Sequence, residues 1–139
     1  MEMMNFELTA KRLSNTASEA RSKDVTLEID SGINPRPDAL SPMELLLAAQ
    51  AACFLKGIER TAPALNFEFT RVDVTLNATR PVLEARINEI NYLIEIETSE
   101  SEERLELMHK NLKKHGTIYN TISAGTSLRG ELVARARLR

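Results

Sequence analysis

The spacing of hydrophobic residues changes several times along the chain, and each change marks an element. From Asn5 to Arg12, Phe6, Leu8 and Ala10 fall on alternate positions, and from Asp24 to Asp30, Val25, Leu27 and Ile29 do the same. Both stretches read as strands with one apolar face. Between them Ser14 to Lys23 is polar and reads as a turn or a loose strand edge, while Ser31 to Leu40, with Gly32, Pro35 and Pro37, reads as a loop. The period then becomes helical. Ser41 can cap, Pro42 suits the first helical position, and Glu44 stands three residues after Ser41 to complete a capping box, so a helix is expected from Ser41 to about Arg60. In Leu45, Leu46, Leu47, Ala48, Ala49, Ala51, Ala52, Cys53, Phe54 and Leu55 only Gln50 interrupts. A helix this apolar all round is expected to be covered on several sides, and its small residues allow another element to come close.

After Pro63 alternation returns, first at Leu65, Phe67 and Phe69, then at Val72, Val74, Leu76 and Ala78, with a change of parity near Thr70 and Arg71 that suggests a bulge or bend. A turn at Arg80 and Pro81 leads to Ile87 through Thr98, where Ile90, Tyr92, Ile94 and Ile96 share one face; the two long segments are expected to pair antiparallel. A second helix is expected from Ser99 or Ser101, with acids in its first turn and Lys110, Lys113 and Lys114 toward its end, the order that complements the helix dipole; Gly116 ends it. Thr117 to Ile122 reads as a further helical turn. Ser127 to Leu138 reads as a closing strand with Leu128, Leu132, Ala134, Ala136 and Leu138 on one face. Strands, apolar helix, strands, helix and strand make an α+β order rather than a repeating βαβ one.

Composition adds bounds to this pattern. The 139 residues, 42% hydrophobic and 27% charged, fit a single domain over 1–139 that buries enough surface to fold without disulfides or a structural metal. With no Trp, two Tyr and four Phe, the core must come mainly from Leu, Ile, Val, Ala and Met. A net charge of −2 without a basic block gives no footprint for nucleic acid. The start MEMMNFELTAKRL lacks the pattern of a secretory signal and no apolar stretch is long enough to span a membrane, so a soluble cytoplasmic protein with neither nucleic acid nor membrane as partner is expected. A single cysteine, which cannot form an intrachain disulfide, suits that reducing compartment.

The chemistry on offer is narrow. There is no glycine-rich phosphate loop, no metal-type spacing of His or Cys, and no glycine-flanked nucleophilic serine, so neither a cofactor nor a metal is expected. His109 and His115 do not share a helical face and read as surface residues. That leaves Cys53. By residue type alone it packs as a small hydrophobe, and it lies too far into its helix for the N-terminus to activate it, so a reactive Cys53 needs help from elsewhere in space.

The run Ser41-Pro42-Met43-Glu44-Leu45-Leu46-Leu47-Ala48-Ala49-Gln50-Ala51-Ala52-Cys53 closely resembles the central-helix motif of the OsmC-like family, which includes the organic hydroperoxide resistance proteins. The likeness continues through the strand pair Val72 to Thr98 into His115 to Ile122, which resembles the family's second motif in degraded form. It implies an intertwined homodimer, with antiparallel sheets packed around a buried central helix and thiol sites near the subunit interface. It also implies chemistry: in family members with peroxidase activity, the cysteine corresponding to Cys53 attacks a hydroperoxide and becomes a sulfenic acid, which a second cysteine converts to a disulfide. Gly116 stands where that second cysteine would be, so the resemblance implies a one-cysteine protein that needs an external thiol reductant. The acid next to the family's helix-starting proline corresponds to Met43, with Glu44 one residue on and also readable as the capping-box partner. The family's arginine is matched nearest by Arg21, with Arg36 as a rival, and each also reads as a solvated surface charge. The expected function is thiol-dependent reduction of organic hydroperoxides by Cys53, assisted by Arg21 and Glu44; the alternative is a non-catalytic binding or scaffold protein of the same fold that takes small hydrophobic ligands.

Overall fold

The structure, a computed structural model, describes residues 1–135; Ala136 and Leu138, expected on the last strand, lie outside the described residues. The chain forms two compact units, Met1–Leu46 and, of the described residues, everything from Leu47 onward.

The first unit holds a meander of three strands, β1 (Thr9–Arg12), β2 (Ala17–Ser22) and β3 (Val25–Asp30), in spatial order β1-β2-β3 and antiparallel throughout. The segment read as a turn or loose edge is thus the central strand. Its polar side chains hid this, because β2 is defined by backbone pairing on both sides, Ala20 opposite both Ala10 and Leu27. Lys23, at φ 56, and Asp24 form the two-residue connection between β2 and β3, whose end pair is Ser22 and Val25. β1 starts at Thr9 rather than Asn5, since its ladder begins where Thr9 meets Arg21, and Phe6 and Leu8 are exposed. The loop after β3 is pinned by buried Asp30, whose carboxylate accepts from the Arg36 N–H at 3.0 Å and the Gly32 N–H at 3.4 Å. A Cβ on Gly32 would meet the Thr16 Cα at 3.0 Å, so the loop needs glycine to lie this close to the β1–β2 turn.

Helix α1 runs Pro42–Leu65, five residues beyond the expected end. Pro63 forfeits only one hydrogen bond, to the Glu59 carbonyl, and this close to the helix end the cost does not stop the helix. Asn66, at φ 50, stops it: the Phe67 N–H bonds the Ala62 carbonyl at 2.9 Å and the Asn66 N–H bonds the Pro63 carbonyl at 3.3 Å, the two bonds of a Schellman cap. Phe67 is buried against the core at this cap. The alternation of Leu65, Phe67 and Phe69 therefore belongs to a helix end and a connection, not to a strand.

In the second unit β4 (Val72–Thr79), β5 (Glu89–Glu97) and β6 (Ser127–Arg135) form a sheet in that order. β4 and β5 pair antiparallel as expected, while β6 runs parallel to β5, a mixed sheet rather than an antiparallel one. The parallel pairing follows from the connection, since α2 (Glu102–His115) and α3 (Thr117–Ser123) carry the chain back to the end of the sheet where β5 began. Ser101 caps α2 by accepting the Arg104 N–H at 3.3 Å. Arg104 ties this helix start to the end of α1, donating to Glu100 at 3.1 Å and to the Leu65 carbonyl. The core combines Phe54, Ile58 and Ala62 of α1 with Ile90, Tyr92, Ile94 and Ile96 of β5 and Leu105, Met108 and Leu112 of α2. Among the described residues only one face of α1 is buried, a stripe of Gln50, Phe54, Gly57, Ile58, Thr61 and Ala62; Ala48, Ala52 and Leu55 are exposed. The all-round cover expected for this helix is not supplied by the described residues.

Candidate functional site

Cys53 is a free thiol at the margin of the buried stripe of α1, partly exposed. One flank of its sulfur is walled by backbone. Gly116, at the junction of α2 and α3, is buried, and a Cβ there would stand 3.3 Å from the Cys53 Sγ, 3.1 Å from the Tyr119 Cβ and 2.6 Å from the Leu112 carbonyl oxygen. The absence of a side chain at 116 is therefore a packing requirement of this junction as well as a chemical fact about the site.

The next residue, Phe54, points into an aromatic cluster. Its ring centroid lies 4.5 Å from that of Tyr92 and 6.1 Å from that of Tyr119, and Tyr92 meets His109 edge-on at 5.7 Å. The Tyr92 hydroxyl and the His109 Nε2 are 2.6 Å apart. Burial, followed by the nearby Lys113 charge, pushes the His109 imidazolium down to about 4, so at neutral pH the ring is uncharged, and its tautomer sets which of Nε2 and the Tyr92 hydroxyl donates. Burial, with a smaller contribution from Tyr119, drives the Tyr92 phenol well above its ordinary range. His109 is thus a half-buried, hydrogen-bonded member of the core margin, not the surface residue its spacing suggested. It follows Met108 on the inner face of α2, but its partner comes from β5, which no local pattern reveals. His115 is exposed and borders a cleft with Arg60, Thr61 and Asn111.

One turn before Cys53 lies Gln50, 0% exposed, and neither its Oε1 nor its Nε2 has a hydrogen-bond partner among the described residues. Sequence reading missed its importance, although it was visible as the single polar break in the apolar run.

The other three candidates sit in the first unit. Arg21 is exposed on β2, along a cleft with Thr9, Ala10, Lys11 and Glu19. Arg36 is held in place by Glu28 at 2.6 Å and Asp38 at 2.9 Å. Those two carboxylates, Asp38 foremost, raise the Arg36 guanidinium further above its ordinary range. Glu44 accepts from the Ser41 N–H at 2.9 Å while its own N–H donates to the Ser41 Oγ at 3.3 Å, the complete capping box, and the Ser41 N–H holds its carboxyl below the usual range. Arg36 and Glu44 border one cleft with Leu27, Pro37 and Leu40, while Arg21 belongs to another.

A family profile described as OsmC-like protein matches residues 35–130, a span that takes in Arg36, Glu44, Gln50, Cys53 and Gly116. The chain belongs to the OsmC-like family. Among curated proteins the sequence search finds no match. Solved structures agree on the fold. An OsmC-like protein from Mycoplasma pneumoniae is 19% identical, with 94% of this chain and 97% of that one covered at a TM-score of 0.87. A hypothetical protein from Aquifex aeolicus is 16% identical, with 98% and 100% covered at 0.84. The organic hydroperoxide resistance protein OhrB of Bacillus subtilis is also 16% identical, with 94% and 98% covered at 0.66. The described residues contain no helix long and apolar enough to cross a membrane.

Proposed function

We propose that this OsmC-like chain, acting as a single domain over 1–139, is a one-cysteine peroxidase that reduces small apolar organic hydroperoxides at Cys53 in the cytoplasm. The Cys53 thiolate attacks one peroxide oxygen; the S–O bond forms as the O–O bond breaks, and the alkoxide leaves with the electron pair and takes a proton to become the alcohol. Sulfur is oxidised by two electrons to the sulfenic acid. An external thiol then attacks that sulfur, releasing water, and a second thiol displaces Cys53 from the mixed disulfide. The observation that carries this reading is the contact between Cys53 and position 116: a side chain there would meet the thiol, and this chain has glycine, so the resolving thiol comes from outside. Arg21 is the proposed thiolate-stabilising cation and Glu44 the proposed acid of the site. A homodimer is proposed as well, because a second subunit would cover the exposed side of α1 that carries Ala48, Ala52 and Leu55.

Turnover tests the proposal. With tert-butyl hydroperoxide and a dithiol reductant, the protein should consume peroxide catalytically and Cys53→Ser should not; equal rates for the two proteins would refute it. A second reading, ligand binding without turnover, is favoured by the engagement of Arg36 with Glu28 and Asp38 and of Glu44 with Ser41. Equal thermal stabilisation of wild type and Cys53→Ser across a panel of hydrophobic molecules would support that reading.

A further inference from the structure

We infer that Gln50 is the residue that holds the oxygen transferred to Cys53, its side-chain amide donating a hydrogen bond to the sulfenate; the inference rests on the thiol chemistry proposed above. Gln50 is fully buried, and both polar atoms of its amide lack partners among the described residues. Burying an amide in this way is costly, and orphaned polar groups of this kind concentrate where a catalytic step, water or ion completes them. Its place on α1 names what completes it. Gln50 and Cys53 stand three positions apart on one helix, a spacing that makes side chains neighbours, and helical side chains slope toward the preceding turn, which for Cys53 is the turn of Gln50. The backbone at Gly116 also lies close to the sulfur, since a Cβ there would stand 3.3 Å from it.

In the resting protein the amide is not bonded to the thiol. Oxidation changes the reach, because the new S–O bond extends the acceptor beyond the sulfur, and a sulfenate oxygen is a far better acceptor than a thiol. A donor on that oxygen withdraws electron density from sulfur and slows its attack on a second peroxide molecule, the step that breaks another O–O bond and converts the sulfenate irreversibly to the sulfinate. In a protein without a resolving cysteine, the sulfenate must wait for an external thiol. Gln50 therefore serves as a positioning residue that protects the waiting intermediate.

Gln50→Leu and Gln50→Met remove the donor while keeping the volume, and they also remove the unpaired amide. Each protein is treated with the same amount of hydrogen peroxide, which oxidises an accessible thiol whatever hydroperoxide the site prefers. Sulfenic acid is trapped with dimedone, and sulfinic acid is measured by intact mass. Both variants should show a sulfinic-to-sulfenic ratio raised about two- to tenfold, the worth of one hydrogen bond, together with a Tm raised by about 2 to 4 °C. A purely structural Gln50 would not move the two readings in these directions together. Unchanged ratios in both variants would overturn the inference. So would a fall in Tm for both, since it would mean that the amide is already bonded within the fold. Failure of the peroxidase reading shows separately, as loss of the wild-type thiol in alkyl hydroperoxide no faster than in unfolded protein.

Discussion

In the β1-β2-β3 sheet only Ala20 and Asp30 are buried, and Val25 and Leu27 of β3 stand in solvent, whereas the β4-β5-β6 sheet buries Ile90, Tyr92, Ile94 and Ile96 on one strand alone. The first sheet is held by backbone ladders and by polar clamps such as Asp30 on its following loop; the second is held by a packed core shared with α1 and α2. Three-stranded sheets of equal strand number thus draw on different physics, and mutations should separate them. The thiol belongs to the packed unit, where geometry can be held tightly. The charged candidates Arg21, Arg36 and Glu44 belong to the unit built on polar contacts.

The largest effect should come from Phe54→Ala. This side chain is 1% exposed and touches both Tyr92 and Tyr119, so its removal should cost about 3–5 kcal/mol in urea unfolding. The matched change in the first sheet, Leu27→Ala, starts from a residue 45% exposed and should move stability by less than about 0.5 kcal/mol. Similar costs for the two would remove the distinction. Asp30→Ala should cost about 1–3 kcal/mol, because the Arg36 and Gly32 N–H groups lose their acceptor, and amide exchange should show the loosening between Ser31 and Leu40.

A smaller effect is expected from acid. The His109 imidazole falls from 6.5 to about 4 on folding, so below 6.5 the unfolded chain takes up a proton that the folded one resists. Stability should be unaffected above that point, fall as pH drops from 6.5 to 4, and level off below. Because the ring is only about half-buried and partly screened, the loss should be about 1–2 kcal/mol. His109→Gln should flatten this part of the pH profile in thermal melts; an unchanged slope would place the titration elsewhere.

Sequence and structure agree where the signal is local. The capping box at Ser41 and Glu44, a helix start at Ser99 or Ser101 that the fold places at Ser101, the alternation of Ile90 to Ile96 and the break at Gly116 are all written in neighbouring residues, and all appear in the fold. Where the cause is distant, reading failed. β2 looks like a loop because its pairing partners, not its side chains, make it a strand. The end of α1 is the exception, local but conformational, because Asn66 in a left-handed backbone is a stronger stop than Pro63 in the last turn. β6 pairs parallel because of the helices that precede it. At the site, the family motif that ends at Cys53 was legible, and the family profile spans it. The burial of the Gln50 amide without a partner among the described residues and the Tyr92–His109 bond exist only once β5 and the helices have packed.

Under the proposed function, folding makes Cys53 reactive toward organic hydroperoxides. Stopped-flow mixing of the reduced protein with an alkyl hydroperoxide measures this directly, following loss of the single thiol in native protein and in protein unfolded in urea. Loss should be much faster in the native state; equal rates in the two states would mean that the fold does not activate this thiol.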